Sequence, residues 1–100
     1  MTKKRVSRKR ELIHIVKRHG TLEHFDSKKV YASAYAAALN AHLSERKAET
    51  IAFYVQKHIA KWVRPRKEVT SAEIRDEITA FLKTINEDVA MLYETHLDVN

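Results

Sequence analysis

Four cationic side chains flank the only glycine of this 100-residue chain. In the segment IHIVKRHGTLEHFDSKKV, Lys17 and Arg18 precede Gly20, and Lys28 and Lys29 follow it. An arginine can bind phosphate through two parallel donors, and a lysine adds a compact charge. The segment can therefore bind a phosphate-bearing ligand. A solvated basic face over an ordinary apolar core would use the same residues, so both interpretations stand at this point.

The elements around this cluster decide whether the cations can act together. The β-branched run ELIHIVKR and the short run TLEHF predict two strands that His19 and Gly20 join in a tight turn, because glycine accepts a positive φ. Asp26 is a good N-cap for a helix that begins next to Lys28 and Lys29. The backbone N–H groups of that helix would add to an anion site. Ile15, Phe25 and Val30 offer an apolar surface for a base nearby.

Everything after Phe25 has helical periodicity. Ser44 is a second predicted N-cap, Thr70 and Glu73 have the spacing of a capping box, and Asn86 is expected to open a last helix. Apolar residues recur every three or four positions between these signals, including the stripe Ile74, Ile78, Phe81, Leu82 and Ile85. The predicted fold class is α+β and mostly α, with an N-terminal β-hairpin covering a four-helix bundle.

The charge is unevenly distributed along the chain. Residues 1–18 carry eight Lys/Arg and one acid, whereas residues 68–100 carry two Lys/Arg and eight acids. We expect a basic flexible arm over residues 1–10 and one domain over residues 11–100. Such an asymmetry can steer a phosphate-bearing ligand, nucleic acid or an acidic partner, or align two copies head to tail.

Composition and motif content exclude several classes of function. The chain has no cysteine, no apolar run of about 20 residues and no secretory-signal pattern, so we expect a cytoplasmic protein without membrane contact. No pair of its six histidines has a convincing ligand spacing within a helix, and we predict no metal site. A nucleophile elbow and a glycine-rich phosphate loop are both missing from the sequence, so we predict no catalytic residues and no enzyme activity.

The order of the residues around Gly20 resembles the opening motif of the ATP-cone family. The motif positions are occupied by Ile15, Lys17, Arg18, Gly20, Glu23, Phe25, Asp26, Lys29 and Val30. The segment EVTSAEIRDEI resembles the family's entry into its third helix, and DVAMLYETHL stands where the family's last helix usually ends. The resemblance covers roughly residues 12–97 and agrees with the predicted element order.

The resemblance implies a regulatory domain that binds ATP or dATP, with or without Mg²⁺. By position, Lys17, Arg18 and Lys29 would neutralise the phosphates. Contacts with adenine or the sugar would come from the apolar and acidic positions Ile15, Glu23, Phe25, Asp26, Val30 and Ile74, and Ser71 and Arg75 would approach the nucleotide from the third helix. The family pattern often ends in a Tyr-Arg pair, where this chain has His96 and Leu97, so a contact from that arginine is not expected.

Two functions follow from these observations. The first is a stand-alone ATP-cone, without an attached catalytic barrel or zinc ribbon, whose oligomeric state or partner binding responds to the nucleotide. Its expected partners are a second copy of the chain and a protein such as a ribonucleotide reductase. The alternative is a nucleic-acid-binding or transcription-regulating protein whose arm contacts DNA phosphates. The cations of that arm are Lys3, Lys4, Arg5, Arg8, Lys9 and Arg10.

Overall fold

The computed structural model describes residues 14–16 and 22–99, and the side chains of residue 15 and residues 24–95. The elements in chain order are β1 (His14–Val16), β2 (Leu22–His24), α1 (Ser27–Asn40), α2 (Glu45–Val63), β3 (Glu68–Thr70), α3 (Ser71–Ile85) and α4 (Glu87–Val99). The predicted mostly helical α+β class with four helices is confirmed. None of the described helices is long and apolar enough to cross a bilayer.

The three short strands form one sheet in the order β2-β1-β3. β1 and β2 are antiparallel, with Ile15 opposite Glu23. The turn predicted at His19 and Gly20 lies outside the described residues, so the hairpin connection stays a prediction. β1 also pairs in parallel with β3, which places Ile15 opposite Val69.

The third strand corrects the predicted plan of a hairpin followed directly by four helices. β3 has only three residues, and its burial pattern of exposed, buried and exposed is too short to give a reliable alternation. Its partner β1 is more than 50 residues away in sequence. The pairing therefore depends on tertiary contacts that local sequence does not carry. Because β3 leads directly into α3, the pairing of β3 with β1 fixes the start of α3 beside β1.

The predicted helix starts are confirmed. The Asp26 carboxylate accepts from the Lys28 backbone N–H at 2.9 Å, and the Ser44 hydroxyl accepts from the Lys47 N–H at 3.2 Å. Thr70 and Glu73 form a reciprocal capping box before α3. The Asn86 side chain accepts from the first turn of α4. Each cap satisfies backbone donors that a helix start would otherwise leave unpaired.

Small side chains allow α1 and α2 to approach closely. Ala34 and Ala38 on α1 and Ala48 and Ala52 on α2 are fully buried, and α1 makes its most extensive contact with α2. The larger core residues are Val30, Ile51, Val55, Ile59, Val63, Val69, Ile74, Ile78, Leu82, Val89 and Tyr93. Along the predicted stripe of α3, Ile74, Ile78 and Leu82 are buried, whereas Ile85, the last helical residue, is 41% exposed.

Candidate functional site

A cavity opens where the first turns of α1 and α3 approach β1. Its volume is about 260 Å³, slightly below the range of roughly 300–1,000 Å³ typical of small-molecule sites. Residues of α1 and α3 line much of the cavity, and Ile15 of β1 and Tyr93 of α4 line it as well. The caps at Asp26 and Thr70 determine where those helices begin, so local sequence signals position both sides of the cavity.

The cavity brings together most of the residues that the sequence assigns to nucleotide contact. Eight of them line it: Ile15, Phe25, Asp26, Lys29, Val30, Ser71, Ile74 and Arg75. Glu23 lies in β2, and its side chain is not among those described. Lys17 and Arg18 lie outside the described residues. The six arm cations, Lys3, Lys4, Arg5, Arg8, Lys9 and Arg10, lie outside them as well.

The electrostatics of the cavity favour an anion. Lys29 belongs to the first turn of α1 and Arg75 to the second turn of α3, and both line the cavity. The N-terminal end of a helix carries a partial positive charge, and the N-terminal ends of α1 and α3 both lie at the cavity. Within the part of the chain that the structure describes, Arg75 forms no ion pair with a carboxylate.

The hydroxyl of Ser71 has no hydrogen-bond partner among the described residues. Its oxygen is buried. A buried polar atom of this kind carries a desolvation cost unless water or a ligand satisfies it. Ser71 lines the cavity at the first position of α3, so this buried hydroxyl lies beside the space that a ligand would occupy.

Tyr93 connects the cavity to α4. The residue is 4% exposed, and burial raises the pKa of its hydroxyl to about 12. The Ser33 side chain and the positive charge of Arg75 act in the opposite direction on that pKa. The Ser33 hydroxyl donates to the Val30 carbonyl at 3.0 Å. Tyr93 and Ser33 thus bring α4 and α1 together at the wall of the cavity.

Four lining residues were not predicted from the sequence: His24, Ser33, Ile78 and Tyr93. Ile78 and Ser33 follow the predicted residues Ile74 and Lys29 by one helical turn, so an i, i+4 extension of the predicted set would have found them. Tyr93 reaches the cavity only because α4 packs against α1 and α3. No local pattern in the sequence indicates that approach.

The cavity combines an apolar wall with cations at the helix starts. Ile15, Val30 and Ile74 suit a flat apolar group, while Lys29 and Arg75 suit an anion. A ligand with an aromatic base and a phosphate chain has both parts. The described residues contain no group of three or more His, Asp or Glu side chains placed to hold a metal ion.

A family model described as the ATP cone domain matches residues 13–94. The chain belongs to the ATP-cone family. The match includes β1, both helix starts at the cavity and the position of Tyr93. A comparison with curated proteins finds no significant match.

Membership of the ATP-cone family implies a nucleotide-binding regulatory role. ATP-cone domains bind ATP or dATP as allosteric effectors and are regulatory rather than catalytic. The resemblance predicted from the motif around Gly20 is thereby confirmed at the level of the family.

Proposed function

We propose that this ATP-cone binds an adenine nucleotide in the cavity between α1 and α3, and that its assembly or partner binding responds to the nucleotide. The observation that supports the proposal most strongly is the convergence of the eight predicted residues around one cavity. They come from β1, the α1 start and the α3 start, which are separated by up to 60 residues in the sequence.

The base would occupy the apolar side of the cavity. Val30 and Ile74 are 6% and 7% exposed and face the cavity from two different helices, so a planar ring between them would be largely shielded from water. Burial of this apolar surface favours binding by about 25 cal/mol per Å². The Ser71 hydroxyl and the second carboxylate oxygen of Asp26 would form hydrogen bonds with base or sugar groups. One Asp26 oxygen already caps α1.

The phosphates would lie at the helix starts. Lys29 and Arg75 supply cations from α1 and α3. Lys17 and Arg18 follow β1 directly in sequence, and we propose that they complete the phosphate site. A charge-assisted hydrogen bond contributes about 1.5–3 kcal/mol, so four such cations would dominate the affinity for a triphosphate. Mg²⁺ would accompany the triphosphate as part of the ligand.

The response to the nucleotide would pass through α4. The ligand would touch Tyr93, which lines the cavity together with Ser33 where α4 packs against α1. A change at this contact would shift the outer surface of α4, where Met91 is 59% exposed. We propose that such a surface mediates self-assembly or contact with a partner such as a ribonucleotide reductase. ATP and dATP differ by one hydroxyl, so modest differences in affinity would be amplified by assembly.

Calorimetric titration with ATP, dATP, ADP and GTP in the presence of Mg²⁺, with light scattering of each mixture, tests the proposal. We expect adenine-selective heat and a change in assembly. The double variant Lys17→Ala with Arg18→Ala should lose ATP binding and keep its circular dichroism spectrum. Adenine-selective binding without a change in mass under any nucleotide would contradict the self-assembly part, and binding of GTP as tight as that of ATP would contradict adenine recognition.

The arm supports a second function, binding of DNA through phosphate contacts. Six of the eight residues in the segment KKRVSRKR are cations. We propose that they add a sequence-independent, salt-dependent affinity for nucleic acid. Deleting residues 1–9 should remove this affinity and leave the heat of ATP binding unchanged. A strong loss of ATP binding on deletion would instead assign the arm to the nucleotide site.

A further inference from the structure

The solvent-facing side of α2 carries cations and aromatic rings at helical spacing. Arg46, Phe53, Tyr54, Lys57, Lys61 and Arg64 share this side, which is here named the α2 face. All six are exposed, whereas Ala48, Ala52, Val55 and Ile59 on the opposite side of the helix belong to the core. The face runs from the first turn of α2 to the residue after its last turn, a length of about 27 Å at 1.5 Å per residue. It is separate from the cavity, which none of the six lines.

The C-terminal two thirds of this surface carry only positive charge. Residues 50–64 contain three Lys/Arg and no acid. Lysines that alternate with glutamates along a helix are usually a solvated, self-neutralised surface. Here no carboxylate within the segment offsets the cations. Such a stretch attracts a polyanion and makes its binding depend on salt.

Two aromatic rings flank the cations. Phe53 is 49% exposed and Tyr54 is 54% exposed, and their ring centroids are 6.0 Å apart at an interplanar angle of 57°. The Lys57 ammonium lies 5.3 Å from the Phe53 ring centroid, which keeps this charge beside the ring. Large exposed aromatic rings leave apolar surface in water, and they are common where bases or partners stack.

We propose that the α2 face binds single-stranded nucleic acid, with Lys57, Lys61 and Arg64 on the phosphates and Phe53 and Tyr54 stacking on bases. Base–aromatic stacking combined with a line of cations is the usual chemistry of single-strand binding. An acidic peptide would satisfy the cations and leave the rings without flat partners, so the rings favour unpaired bases. A duplex keeps its bases stacked on each other and offers only its phosphates. This proposal does not depend on nucleotide binding in the cavity.

Fluorescence anisotropy of a labelled oligothymidylate of about 15 nucleotides with the full chain tests the proposal. The triple variant Lys57→Gln, Lys61→Gln, Arg64→Gln should weaken binding by more than roughly tenfold and lower the slope of log K against log salt by about 2. The matched control is Lys28→Gln, Lys67→Gln, Lys83→Gln, which removes the same charge away from the face. That control should change the slope by much less.

The aromatic part is tested separately with Phe53→Ala and Tyr54→Ala together. We expect roughly tenfold weaker binding of the oligothymidylate and little change for a duplex of equal length. Equal losses in the face variant and its matched control would overturn the proposal, because the arm or the total charge would then account for binding. It would also be overturned if the wild type did not bind, or if the variants changed self-association in light scattering and not oligonucleotide affinity.

Discussion

Asp26, which caps α1, and Ser71, the first residue of α3, line the same cavity. This arrangement brings the N-terminal ends of α1 and α3, with their partial positive charges, to the same cavity. It also places the buried Ser71 hydroxyl, which has no hydrogen-bond partner among the described residues, beside the space that a ligand would occupy. Nucleotide binding in the proposed cavity depends on this convergence, and single substitutions at its residues can test it.

Replacing Ser71 with alanine should weaken ATP binding without destabilising the fold. The hydroxyl has no hydrogen-bond partner among the described residues, so its removal costs the folded protein no internal bond. Loss of one hydrogen bond to the nucleotide should raise the Kd roughly fivefold, equivalent to about 1 kcal/mol. Calorimetry and thermal unfolding measure the two effects. Thr95→Ala on the exposed side of α4 is the control, and an equal change in Kd there would contradict a specific role for Ser71.

Replacing Arg75 with methionine should separate the phosphate contact from the base contact. The variant keeps an unbranched apolar stem and removes the guanidinium that lines the cavity. Affinity for ATP should fall by about tenfold or more, and affinity for adenosine should change little. Lys83→Met in the last turn of α3 removes a cation outside the cavity and serves as the control. A parallel loss of adenosine binding would place Arg75 beside the base instead.

Tyr93 should make stability sensitive to alkaline pH. Burial raises its pKa from 10.0 to about 12, so the folded state retains this proton more strongly than the unfolded state. The resulting stabilisation is fully present below about pH 10 and is lost as pH rises towards 12, with a slope of about 1.4 kcal/mol per pH unit. Urea unfolding between pH 9 and 11 should show a loss of stability that steepens towards this slope in the wild type and a smaller loss in Tyr93→Phe. Identical slopes would show that Tyr93 does not contribute.

Replacing His42 with glycine should stabilise the folded state. Among the described residues other than glycine, His42 is the one with a positive φ, which is 69°. Its N–H donates to the Leu39 carbonyl and the next N–H, of Leu43, donates to Ala38, which is the hydrogen-bond pattern that ends many helices at a glycine. His42→Gly should raise the free energy of unfolding by about 1 kcal/mol and the Tm by about 4–8 °C. His42→Ala retains a Cβ and should give no such increase.

The sequence predicts the local features of this fold better than its long-range contacts. The helix starts at Asp26, Ser44 and Thr70 were predictable because each cap and the donor it satisfies lie within three residues. β3 was missed because its three residues acquire strand geometry only by pairing with β1. Tyr93 was missed for the same reason, since α4 reaches the cavity through packing alone.

The candidate site shows the same division between local and long-range information. The residues of α1 at the cavity follow from the motif around Gly20, and the residues of α3 from the family's second segment, but neither segment alone indicates that they meet. Lys17 and Arg18 lie outside the described residues and stay a prediction for the phosphate site. The helix positions that extend the site by one turn, Ser33 and Ile78, follow Lys29 and Ile74 at i, i+4, so the sequence could have indicated them.

Chemical-shift mapping of the ¹⁵N-labelled protein during titration with ATP and Mg²⁺ tests directly whether the nucleotide binds in this cavity. The largest shifts should occur at the cavity, in the first turns of α1 and α3 around Lys29 and Ser71, and at Tyr93. Amides at the middle of α2, around Phe53, should move little at saturating ATP. Saturable shifts confined to α2, or none at the starts of α1 and α3, would contradict nucleotide binding in this cavity.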